Sequence, residues 1–171
     1  MPNVRDLTTE ERETLLRRAW YGHDARWFAA VAAEFGIDAA NRLNRKALRT
    51  TTVGEMRAAA KILGVDRAAD LDEFLAVFDV AASVFVPDSL MEFKFERLDG
   101  RSYEVSFQRC FVHENIMKAG IADQYVCAVF DRVAGWHDAL DLPLTEEPVG
   151  LPCAKARGKE CRRTLTIQTE V

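Results

Sequence analysis

The hydrophobic pattern changes its period once, near Pro87, and that change restricts the chain to folds that join helices to an antiparallel sheet. After it, Met91, Phe93 and Phe95 alternate with Glu92, Lys94 and Glu96. Leu98-Asp99-Gly100 then turns the chain, and Tyr103, Val105 and Phe107 alternate with Glu104 and Ser106. Alternation on both sides of a turn is the pattern of a β-hairpin with one face in water.

Before the change the spacing is helical. Thr8-Thr9-Glu10-Glu11 predicts a capped helix start, and Gly36 a stop for a first helix running to about Phe35. Its stripe of Leu16, Trp20, His23, Trp27, Val31 and Phe35 predicts a buried face. Asp38 can cap a second helix from Ala39 to about Arg49, and Thr51 or Thr52 a third ending at Gly64. Asp66 or Asp70 opens a fourth, with Leu71, Phe74, Leu75, Phe78 and Ala82 turned inward.

Beyond the hairpin the sequence predicts a short helix from Phe111 to Ala119 and a longer one, capped by Asp123, from Gln124 to about Leu140. Pro143, Pro148 and Pro152 hold the next stretch extended, and Arg163 to Gln168 alternates as a closing strand. No strand–helix–strand unit recurs. The fold class is therefore α+β: N-terminal helices packed with a small antiparallel sheet, in the order helices, hairpin, two helices, C-terminal strand.

With 171 residues, 49% hydrophobic and 29% charged, the chain fits a single α+β domain over residues 1–171, with 1–7 disordered. The formal charge of -4 supplies no field for gripping a nucleic-acid backbone. The longest uncharged stretch, Val80 to Pro87, is far shorter than the roughly 20 apolar residues of a spanning helix. The reading is a cytoplasmic protein with a small-molecule ligand or substrate and neither nucleic acid nor membrane as partner.

Four cysteines, all in the second half, carry most of the chemistry: Cys110, Cys127, Cys153 and Cys161. Cys110-Phe111-Val112-His113 sets a thiolate and an imidazole about one helical turn apart, ligand spacing for zinc or iron, with the remaining ligands closing from distant segments. The metal set is then Cys110, His113, Cys127, Cys153 and Cys161. Lys155, Arg157, Lys159, Arg162 and Arg163 would lower nearby thiol pKa values. The bland alternative makes the cysteines small core hydrophobes, Cys127 between Val126 and Ala128 above all. His137 does not share the Cys127 face on the expected helix and reads as exposed.

The second constellation lies on the first helix. His23 sits between Trp20 and Trp27 on the apolar stripe, with Asp24 at its edge, and a buried carboxylate there would need a partner from another segment. Trp20, Trp27 and Phe28 would line an aromatic pocket, helped by Phe74 and Phe78. His23 and Asp24 would serve it as acid, base or metal-facing groups. The alternative is a core histidine beside an exposed aspartate.

Trp20-x3-Asp24-x2-Trp27-Phe28, then Glu34-Phe35-Gly36 with Ala39, Ala40 and Leu43, then Cys110, Gly120, Cys127 and the last two cysteines resemble an uncharacterised prokaryotic domain family of unknown function. More distantly they are similar to the L-2-amino-thiazoline-4-carboxylate hydrolase-like proteins. That resemblance implies a hydrolase of a cyclic amino-acid substrate with a cysteine nucleophile, and since such a thiol needs a histidine in reach, Cys110 with His113 is the local candidate pair. The element order is also similar to vinyl-reductase-type small-molecule-binding domains, an analogy of fold alone. Against the cysteine-based metal or reactive-thiol reading stands a non-catalytic binding or sensing module, its apolar helix face open to a ligand or to a second copy in a homodimer.

Overall fold

The computed structural model describes residues 5–146 and 149–168. The expected disorder of residues 1–4 and the extended role of Pro148 lie outside that range. Arg5 to Leu7 are placed, with the Arg5 guanidinium donating two hydrogen bonds to the Glu11 carboxylate. The fold is α+β: among the described residues, five α-helices and one three-stranded antiparallel sheet. The chain forms two compact units, Met1–Arg42 and Leu43–Val171.

In the first unit, α1 spans Thr9–Phe35. It starts as the sequence predicts, with the Thr8 hydroxyl accepting from the Glu11 N–H and the Glu11 carboxylate from the Thr8 N–H. Gly36 ends it at φ 85°, a left-handed conformation that costs glycine little. The stripe does not behave as expected. Leu16 is 70% exposed, Trp20 50%, Trp27 57% and Phe35 70%, while Val31 is buried. The inward face predicted for α1 is a partly wetted one.

The next helix, α2, runs unbroken over Ile37–Leu63, where two helices were expected. Thr51 and Thr52 lie inside this helix and cap no new one; Thr50 and Thr52 bond within it. Their hydroxyls donate back to the carbonyls of Lys46 and Arg49 at 3.0 Å each, the mid-helix alternative open to threonine.

In the second unit, α3 spans Leu71–Phe85. The Asp70 carboxylate accepts from the Glu73 N–H and the Glu73 carboxylate from the Ala69 N–H, so Asp70, not Asp66, is the cap. Strands β1 (Met91–Arg97), β2 (Ser102–Cys110) and β3 (Cys161–Thr166) pair in that order. The Asp99 carboxylate closes the hairpin by accepting from the N–H groups of Arg101 and Ser102.

After β2 come α4 (Phe111–Lys118) and α5 (Val129–Ala139). The expected helix from Gln124 thus starts five residues late. Val126 bridges Pro152 antiparallel, and the Cys127 N–H donates to the Leu151 carbonyl at 2.8 Å, so this segment satisfies its backbone through a distant strand-like partner. Among the described residues no helix is long and apolar enough to cross a membrane.

The core of this unit is aromatic. The Phe78 ring meets Trp136 at 5.0 Å and Phe95 at 5.1 Å, both edge to face. His137, expected to be exposed, is fully buried beneath Phe74, ring centroids 3.9 Å apart. Its Nδ1 lies 2.8 Å from the Leu142 carbonyl, which can only accept, so Nδ1 carries the proton. Nε2 then accepts from the Tyr103 hydroxyl at 2.7 Å. Burial holds this imidazole down at about 4 and pushes the Tyr103 phenol well above its ordinary range.

Candidate functional site

Cys110 owes its place to one extra residue. Along β2, Tyr103, Val105 and Phe107 face the core, and strict alternation would send Cys110 to the opposite face. The register steps from Phe93↔Phe107 to Glu92↔Arg109, so Gln108 has no partner of its own and forms a β-bulge. The bulge returns Cys110 to the core side, where it is buried. Cys161, the first residue of β3, pairs with Phe107 and lies on that same face.

The other two thiols arrive through the long return segment. Cys127 precedes α5 and is hydrogen-bonded through its N–H to Leu151, two residues before Cys153. Cys153 leads into a single 3-10 turn, Lys155–Arg157, which packs against α4. As a result each of the four thiols lies within electrostatic reach of the other three. All four are free.

The imidazole of His113, in the first turn of α4, sits with Nδ1 3.7 Å from the Cys153 sulfur. The thiol–imidazole contact is therefore nonlocal, Cys153 with His113, in place of the expected neighbours Cys110 and His113. Cys110 caps α4 instead, facing the N–H groups of His113 and Val112.

Burial dominates the thiol pKa values. It raises that of Cys110, and pushes Cys127 up to about 12 and Cys161 to about 11. The helix-end N–H groups at Cys110 and Cys127 pull the other way but less strongly. Lys155 lowers Cys110 and Cys161, and Arg163 lowers Cys161, again by less than burial raises them. The basic loop thus acts in the expected sense without making these thiols acidic. Arg163 also lays its guanidinium 4.5 Å from the Phe130 ring centroid.

Among the described residues, no group of three or more His, Cys, Asp or Glu side chains could hold a metal ion. The set expected for zinc or iron, Cys110, His113, Cys127, Cys153 and Cys161, is gathered into one neighbourhood without forming a cage.

Two further residues of this neighbourhood escaped the sequence reading. Buried Tyr125 feels the Cys127 and Cys110 thiols and receives a hydrogen bond involving Asn44. Arg45 of α2, paired with Asp131 at 2.9 Å, lies near Cys127. Tyr125 stands two residues before Cys127, a hint of proximity. Arg45 carried no sequence signal, because it is 82 residues away in the chain.

The first-helix constellation lies in the other unit. His23 is exposed, with Nδ1 3.8 Å from a carboxylate oxygen of the half-buried Asp24. Phe28 is half-buried, and Trp20 and Trp27 are exposed. Phe74 and Phe78 are packed into the aromatic core by Tyr103, Trp136 and His137.

No curated protein and no solved structure matches this chain. Residues 7–134, which take in the α1 constellation, Cys110, His113 and Cys127 but stop short of Cys153 and Cys161, match the model of a family of unknown function, DUF6125, and the chain belongs to that family.

Proposed function

We propose that the protein works through its thiols, with Cys153 as the reactive sulfur, His113 as the base that takes its proton, and Cys110, Cys127 and Cys161 as protonated thiols around it. The observation that carries this reading is the 3.7 Å approach of the His113 imidazole to the Cys153 sulfur. A thiol within reach of an imidazole is the minimal activated nucleophile. The other three thiols are held protonated at neutral pH by burial and are weak nucleophiles. Four free thiols suit a reducing compartment, the cytoplasm. On the residues that resemble L-2-amino-thiazoline-4-carboxylate hydrolase-like proteins, the reaction class we propose is thiol-dependent hydrolysis of a small cyclic substrate.

The test is mass-resolved alkylation of the native protein by iodoacetamide at neutral pH, beside elemental analysis of protein purified without chelator or tag. Cys153 should label first and slow markedly in His113→Ala. Equal labelling of all four thiols, or indifference to His113, overturns the reading. One equivalent of zinc or iron with thiols masked until denaturation would replace it with a metal–thiolate centre.

A further inference from the structure

The first helix keeps aromatic side chains in water that a monomer gains nothing by exposing. Trp20 and Trp27 lie seven residues apart and so on one side of α1, and each is at least half exposed. With Leu16 beside them they present on the order of 400 Å² of apolar surface, within the range at which an exposed patch marks an interaction site. Doubled across a two-fold axis this reaches about 800 Å², the size of a weak, concentration-dependent contact.

The spacing along that side is also specific. Glu13, Arg17, Trp20, Asp24 and Trp27 follow at intervals of four, three, four and three, a 3.5-residue repeat that keeps two aromatic and three charged side chains on one side of α1. Val31 continues it but is covered within its own chain, so the open seam ends at Trp27.

We infer that α1 pairs antiparallel with α1 of a second copy of this chain, the two-fold axis passing beside residue 22. In that register Arg17 meets the partner's Trp27, a cation over an aromatic face, one turn from the partner's Asp24. Trp20 meets the partner's Asp24, whose carboxylate can accept from the indole N–H. A parallel pair would instead stack Glu13 on Glu13, Arg17 on Arg17 and Asp24 on Asp24. Charge therefore selects the antiparallel form, and it selects a second copy because the seam complements itself under a two-fold.

The test is sedimentation equilibrium of the full chain across the micromolar range. A monomer–dimer equilibrium is expected, weakened at least about tenfold by Trp27→Glu while circular dichroism keeps its helical signal. Arg17→Glu should weaken it as well, and adding Asp24→Arg should recover part of the loss, since opposite charges again lie one turn apart across the pair. A monomer at every concentration, a dimer indifferent to Trp27→Glu, or a charge swap without any recovery would each overturn the inference. The thiol site stands or falls separately, because alkylation of Cys153 does not read the α1 surface.

Discussion

His137 ties the stability of the second unit to pH through a single buried ring. Its folded pKa of about 4 lies below the ordinary value of 6.5, so between those limits the unfolded chain binds the extra proton. Stability is unaffected above about 6.5, falls as pH drops toward 4, and levels off below it, a loss on the order of 3 kcal/mol. Urea midpoints measured from pH 7 to pH 4 should show this slope in the wild type and a shallower one in His137→Gln. Gly135 is a second residue whose identity is set by space. A Cβ there would stand 2.1 Å from the Thr52 hydroxyl and 2.5 Å from the Arg49 carbonyl, the latter being backbone that cannot step aside. Gly135→Ala should therefore destabilise by about 2 kcal/mol, read as a lower urea midpoint with an unchanged slope. Neither position was legible in the sequence. The burial of His137 depends on Leu142 and Tyr103 reaching its two nitrogens, and the constraint on Gly135 comes from α2, far away in the chain.

At the scale of elements, α2 and α5 are joined by charge. Arg45 pairs with Asp131, Arg49 with Asp138, and Glu55 with Arg132 in the most buried of the three. Glu55 also accepts from the Trp136 indole at 3.4 Å. Glu55→Ala leaves the Arg132 guanidinium buried and uncompensated, so a loss of about 3 kcal/mol is expected, while Glu55→Ala with Arg132→Leu should recover part of it in a double-mutant cycle. The strands were readable because a two-residue period with one wet face needs only local sequence. The start of α1 was readable for the same reason, since Thr8 and Glu11 satisfy each other. The break predicted inside α2 failed because threonine serves equally as a cap and as a hydroxyl bonded back to its own helix. The early start predicted for α5 failed because the partner of Cys127 is Leu151, and nothing local announces it. The bulge had left a mark, the two successive polar residues Gln108 and Arg109 interrupting the alternation. Deleting Gln108 removes the bulge but leaves Cys110 two positions after Phe107, so Cys110 should stay on the core face and shielded from native alkylation, whereas Arg109 deleted together with Gln108 should turn it outward and open it to the reagent.

At the scale of the molecule, the thiols and the exposed tryptophans fall in different units. All four thiols belong to the unit Leu43–Val171, while Trp20 and Trp27 belong to Met1–Arg42. Trp136 is fully buried. Acrylamide should therefore quench two of the three tryptophans readily in dilute native protein, lose that access as α1 pairs at higher concentration, and reach the third on unfolding. The cysteine neighbourhood was only half legible at this scale: its members could be named from the sequence, but their convergence depends on a bulge, an isolated bridge and a sheet register. A strand counts its residues in twos, and the extra residue at Gln108 is a correction to that count. Kindred chains inherit the same arithmetic. One that lacks the insertion must carry its cysteine at an odd offset from where the bulged strand has it, so in a comparison of family sequences the gap and the displaced cysteine should travel together.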